Sequence, residues 1–392
     1  MKKTHLIPLL ISALFSGITH AEITLTPYAP TRSLNDIRQI APTDDGSLVV
    51  ITQKGELWKT QQSEPQLLLN NVSSKVAPKA DYGRIALANN KGNFLLWTKD
   101  KIYSSQIPMA ENAGMIGLAF ATIGVVKEGN THKLARIEPQ GEQAVITAKS
   151  DQAVLPDARP LQINLSGGDA KQGHIAVLAS PDSEYYQHAV LGDLWEATDL
   201  LYLERHSLTP LATTLNLKEG LVFEANQLTS VSQNGKNLLA TTISGGGMGA
   251  RAVIIGVENN ALRLQAESQP LPSNRWQSPF QFGETLYAVQ MPHLVGKLVE
   301  YQQNGKTLQE KAIGQGFSNH QYGDYETNLT AKTEQFVVIP HYGYKKVSIM
   351  DKQGKLHPLE TQLPSPIEKT RSDNQRVYLL LKNGQVWVVE DK

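Results

Sequence analysis

Four stretches of the chain repeat one pattern: a short apolar run, a polar turn, then a second apolar run. They read LVVITQKGELWKT (48–60), FLLWTKDKIYSS (94–105), FVVIPHYGYKKVSIM (336–350) and VYLLLKNGQVWVV (377–389). Gly or Asn sits in most of the turns, where a positive φ costs least, and β-branched and aromatic residues fill the runs, so each stretch reads as a β-hairpin. Helix signals are almost absent. Apolar members begin near residues 48, 94, 174, 238, 285, 336 and 377, and most spacings fall at about 40–64 residues, room for several strands per unit. A small sheet of that size buries its faces only against neighbouring copies, which predicts an all-β β-propeller.

The two chain ends complete each other in this scheme. The last unit, from 367 onward, holds only two or three strands, whereas EITLTPYAP (22–30) supplies a spare one. Pairing the N- and C-terminal strands in one blade closes the ring and removes an open edge. Seven blades of about 53 residues are the first expectation and eight of about 46 the alternative; the repeat is hardest to follow across 106–170. No low-complexity linker interrupts the chain, so 22–392 reads as a single domain.

Residues 1–21 have the features of a signal peptide. Lys2 and Lys3 precede the apolar run LIPLLISALF (6–15), and Thr19-His20-Ala21 offers a small-x-small cleavage site. The run is too short to cross a bilayer, which takes about 20 residues, and no second long apolar run follows. The expected product is an exported, monomeric periplasmic protein without a transmembrane segment. Lys+Arg and Asp+Glu both number 37, and losing the two leader lysines leaves a slight acidic excess, which argues against nucleic acid as a partner. With no cysteine in the chain, stability has to come from burial rather than disulfides.

The loop SGGGMGA (244–250) places Gly245, Gly247 and Ala250 at the spacing of a dinucleotide-binding fingerprint. That motif needs a helix directly after the glycines, because the helix N-terminus holds the pyrophosphate. Here the alternating, β-branched ARAVIIGV (250–257) follows. The loop is expected to turn the chain between two strands of one blade.

Five phrases occur in order: YYQHAVLGDLWEATDLLYLE (185–204), LVFEANQLTSV (221–231), SGGGMGARAVIIGVE (244–258), RWQSPFQFGETLYAVQMPHLVGKLVEY (275–301) and GFSNHQYG (316–323). In these the chain resembles the exported FG-GAP/VCBS-repeat proteins of proteobacteria, β-propellers mostly without an assigned activity. Such repeats carry Asp-x-Asp-Gly-Asp-Gly loops able to bind Ca²⁺. Only remnants stand here: PTDDGS (42–47), SQNGKN (232–237), DKQG (351–354) and RSDNQR (371–376). None has more than two acids, too few for a cation that takes about six to eight oxygen ligands. They read as turns, and neither a metal nor another cofactor is expected.

The region of the resemblance, about 170 to 350, concentrates polar and aromatic residues near strand ends and blade junctions. The candidate binding residues are His188, Glu224, Arg251, Arg275, Trp276, His293, Asn319, His320, His341 and Tyr342. Taken singly, each also reads as a staple for loop backbone; taken together, blade-linking loops converge near a propeller's axis and can gather them on one face. The expected function is binding or scaffolding, for a protein partner or a cell-envelope glycan. The alternative is a periplasmic hydrolase or polysaccharide lyase using a His/Arg/Tyr cluster at the channel. With no HExxH, no Gly-x-Ser-x-Gly elbow and no cysteine, no catalytic residue is assigned and the chain reads as a binder more than as an enzyme.

Overall fold

The computed structural model describes residues 22–60 and 64–391; the segment read as a signal peptide lies outside them. Among these residues there is no α-helix, only two short 3₁₀ turns and a succession of strands. The strands pair as antiparallel four-stranded meanders, in chain order. The first runs from Ile37–Pro42 to Gln66–Asn70, the second from Lys79–Asp81 to Ile102–Pro108, and the third from Met115–Gly117 to Gln143–Ala153. The fourth runs from Leu161–Ile163 to Leu215–Asn216. In the fifth, Leu221–Phe223 and Thr229–Gln233 both pair with Lys236–Gly245, and Ala261–Ser268 ends the unit. The sixth runs from Gln277–Phe282 to Thr307–Gly314 and the seventh from Ala331–Lys332 to Leu356–Pro358. The C-terminal strands Ile367–Ser372, Arg376–Leu381 and Val386–Asp391 make the eighth, whose fourth strand is Ile23–Pro27 from the other end of the chain.

Burial explains why the apolar runs are continuous rather than alternating. Leu48–Thr52 and Phe336–Pro340 are buried at every position, because both faces of a meander are covered. The apolar clusters lie between meanders. Ala41, Val49 and Ile51 pack on Ala80, Ile85 and Leu87; Phe280 and Val289 pack on Val337 and Ile339. Phe336 and Ile349 meet Ile367 and Leu379, and Ile37 and Leu48 meet Tyr378 and Val386. The eighth meander therefore packs on the first as well as on the seventh. Leu25, buried in the strand that joins the two ends, faces Val389 across the pair. Truncating it (Leu25→Ala) is expected to cost about 2 kcal/mol or more, the usual range for a buried leucine, read as a lower urea midpoint with unchanged slope.

Antiparallel order fixes where the loops go. The turn between the second and third strands of each meander, and the connection to the next meander, leave at the same end; the other two turns leave at the opposite end. The glycine loop is one of the former: Gly246 and Gly247 (φ 63° and 79°) join Lys236–Gly245 to Met248–Glu258 in a two-residue hairpin. It turns the chain, as its sequence implies.

Candidate functional site

Three loops at this end build a polar floor under the fourth to seventh meanders: 183–195, 291–296 and 315–330. Glu224, fully buried at the entrance to the fifth meander, is its anchor. Its Oε1 lies 2.6 Å from His188 Nδ1, its Oε2 accepts from the Ser244 hydroxyl, and its carbonyl accepts from Trp276 Nε1 at 2.9 Å. Burial pushes the Glu224 carboxyl up, and the His188 hydrogen bond opposes that shift. Glu196, also buried, is raised well above the usual range by burial and then by the charge of Glu224.

Trp276 passes the platform on to two further histidines. Its ring is stacked with His293 at 6.4 Å between centroids and tilted against His320 at 4.9 Å. His320 Nε2 stands 2.8 Å from the Asp324 carbonyl, so it must donate there. Its Nδ1 is then a bare lone pair and accepts from His293 Nε2–H at 2.9 Å. Burial holds both rings neutral, with His293 brought down to about 4, helped by the charge of His188, and His320 to about 3.

A second cluster is built from residues of ordinary appearance in the sequence. Glu326 is clasped by Arg159 (Nη1 to Oε2, 2.9 Å) and by Arg371 (3.0 and 3.1 Å to its two oxygens). Burial would raise this carboxyl, but the two guanidiniums overcome it and hold it well below its usual range. Asn226 ties the neighbouring loops: its amide donates to Asp157 Oδ2 (2.8 Å) and the Tyr325 carbonyl (2.9 Å), and its Oδ1 accepts from Thr327 (2.7 Å). Gly192 (φ 103°) allows 183–195 to lie against the Tyr325 ring, where a Cβ would come within 2.8 Å of ring carbons. Arg159, Glu326, Arg371, Gln39 and Lys369 border a cavity of about 440 Å³.

Of the ten candidate residues, five form this floor: His188, Glu224, Trp276, His293 and His320. The other five go elsewhere. Arg251 pairs with Glu267 on the adjacent strand at 3.2 Å, and Arg275 donates to the neighbouring Asn274 carbonyl. Asn319, fully buried, reaches the Ser278 carbonyl and Asn328. His341 bonds Ser348 at 2.8 Å and leans on Phe317, while Tyr342 is exposed. The acidic remnants act as turn staples: Asp45, Asp351 and Asp373 accept backbone N–H groups two residues on.

Above the floor the loops are apolar. Among the described residues, eight of the fifteen exposed large apolar side chains lie at this end: Tyr185, Leu194, Trp195, Met248, Leu294, Val295, Tyr322 and Tyr342. Tyr322, 70% exposed, meets His293 edge-on at 5.6 Å, and Leu294 beside it is 59% exposed.

No protein-family model matches the chain, and no curated protein matches it. Among solved structures it is similar to the Dos1 propeller, at 9% identity and a TM-score of 0.56, over 93% of this chain and 95% of that one. The computationally designed Ika8 protein aligns at 11% identity and 0.56, over 91% and 96%. The WD40 domain of SCAP from fission yeast aligns at 10% and 0.53, over 94% of each. Together with the strand order, these likenesses show an all-β chain with the β-propeller fold. At such identities they speak to fold alone.

Proposed function

We propose that this protein is an exported, periplasmic, monomeric scaffold that binds a protein partner on the loop-bearing face of its fourth to seventh meanders. In this reading the eight meanders are eight blades, one more than first expected from the sequence, and the pairing of Ile23–Pro27 with Val386–Asp391 closes the ring. The clustering of exposed aromatic and aliphatic residues over a buried polar floor carries the proposal. Tyrosine, tryptophan and methionine are the residue types enriched in protein interfaces, and a contiguous apolar patch on a monomer is characteristically an interaction site. Leu194, Leu294 and Val295 favour a protein over a glycan, since aliphatic side chains add little to the recognition of a hydroxylated ring.

The test uses a partner isolated from periplasmic extract and its affinity for variants. Tyr322→Ala with Leu294→Ala should weaken binding by about 30-fold or more, the scale of a hot-spot truncation of about 2 kcal/mol. Phe120→Ala, 80% exposed on a turn at the opposite end, should leave it unchanged. Equal losses from both ends would overturn the assignment of the face.

A further inference from the structure

The cavity of about 440 Å³ lies where connections between meanders meet, bordered by 75–78, 112–114, 159–160 and 324–326, at the end of the fold that bears the proposed docking face. Five cationic side chains and three acidic ones line it. Four of the five cations have an acid within ion-pair distance. Arg159 and Arg371 share Glu326, Lys75 lies 3.6 Å from Glu111, and Lys79 lies 3.1 Å from Asp81. Lys369 has none among the described residues. Its Nζ makes one hydrogen bond, 3.2 Å to the neutral Gln39 Oε1, and Gln39 is itself fixed by donating to the Ser74 carbonyl at 2.8 Å.

This ammonium is spare. It carries three donors, and two remain after Gln39 is served. Glu326 does not need it, because both carboxylate oxygens already accept from the Arg159 and Arg371 guanidiniums. Burial lowers the Lys369 pKa from its ordinary value, and the attraction of Glu326 and Glu368 is opposed by Arg371 and Arg159. A cation drawn out of water with so few partners is relieved by an incoming anion, which accepts the free donors and supplies the missing charge. The charge to be matched is a single one. Asp324 and Glu368, on the same walls, repel a second negative charge, which selects a carboxylate over a phosphate. Gln227 lines the same cavity, and its side-chain amide has no hydrogen-bond partner among the described residues, so a polar remainder of the ligand can be met there.

We propose that this cavity is a carboxylate-binding site, in which the Lys369 ammonium takes the carboxylate of a small organic acid or of an acidic side chain. A volume of about 440 Å³ falls within the range of small-ligand pockets, about 300–1,000 Å³. The site stands whether or not the exposed apolar loops dock a partner.

Calorimetric titration of the full chain at constant ionic strength tests this with three probes. Propionate is the free acid, the capped peptide acetyl-Gly-Glu-Gly-amide carries the same group on a chain, and propionamide is the uncharged isostere. Saturable binding of at least one carboxylate is expected, with none of propionamide, and the tighter of the two names the source. Lys369→Met should weaken that binding about tenfold or more, the scale of one charge-assisted hydrogen bond. Because the ammonium is spare, the same variant should leave the urea midpoint unchanged or raise it. A steep fall in that midpoint would place Lys369 in the Glu326 ion cluster and overturn the site. So would the absence of saturable carboxylate binding, equal binding of propionamide, or binding undiminished in Lys369→Met. A chain that binds a carboxylate through Lys369 but loses no partner on Tyr322→Ala with Leu294→Ala keeps this site and discards the docking face.

Discussion

Replacing Glu326 by glutamine should destabilise the protein by about 3–5 kcal/mol, the largest loss expected from any polar substitution in the chain. The isostere keeps the shape and removes only the charge, so the loss measures electrostatics. Two guanidiniums, Arg159 and Arg371, would then face each other across a neutral amide, close to a partly buried Lys369. Their desolvation is offset in the native protein chiefly by the Glu326 carboxylate, and losing one member of a buried ion cluster leaves the others poorly compensated. The damage is non-local, because Arg159 and Glu326 are separated by 167 residues and Glu326 and Arg371 by 45. They tie the third-to-fourth connection, the 315–330 segment and the eighth meander around the axis. Urea unfolding is the check: the midpoint should fall steeply, and an unchanged midpoint would remove this cluster from the account of stability.

Trp276→Ala should cost a similar amount, about 3–5 kcal/mol, for a different reason. Its ring fills a small core with Val190, Leu191, Ala250 and Leu271, directly beneath the loops of the proposed docking face. Its truncation opens a cavity, orphans the buried Glu224 carbonyl and removes the surface on which His293 and His320 rest. Trp276→Phe separates these effects. It keeps most of the volume and loses the N–H, so it should cost only about 1–3 kcal/mol, the penalty for one buried unsatisfied acceptor together with a small residual void. If the two variants were equally destabilised, packing would not be the dominant contribution of this residue.

The architecture was legible because both faces of each meander are covered. Continuous apolar runs such as LVVIT and FVVIP stand out against their turns, and the spare strand at 23–27 announced a partner at the other end. The number of meanders was less legible. The third meander falls in the stretch where the repeat was hardest to follow; its long strand Gln143–Ala153 is exposed at about half of its positions, and its pairing with Thr131–Gln140 is broken by register shifts. Several strands elsewhere, such as Leu215–Asn216 and Ala331–Lys332, are two residues long and have no periodicity to read.

The site divides in the same way. His188, Trp276, His293 and His320 attract notice because imidazoles and indoles are scarce in a chain of hairpins. Glu224 was found in the phrase beside them. Arg159, Asn226, Glu326 and Arg371 are commonplace residue types in unremarkable contexts, and only the stacking of distant meanders sets them against one another. Arg251 lies apart from the floor for a local reason: its Nη1 pairs with Glu267 on the adjacent strand.

The claim on which the rest depends is that one end of the propeller, and not the other, is the docking surface. Placing a photoreactive phenylalanine analogue at Tyr322 in one preparation and at Phe120 in another, then irradiating each in periplasmic extract, compares the two ends directly. The account predicts one dominant cross-linked protein from position 322 and none of that species from position 120. The same species from both positions, or from 120 alone, would contradict it.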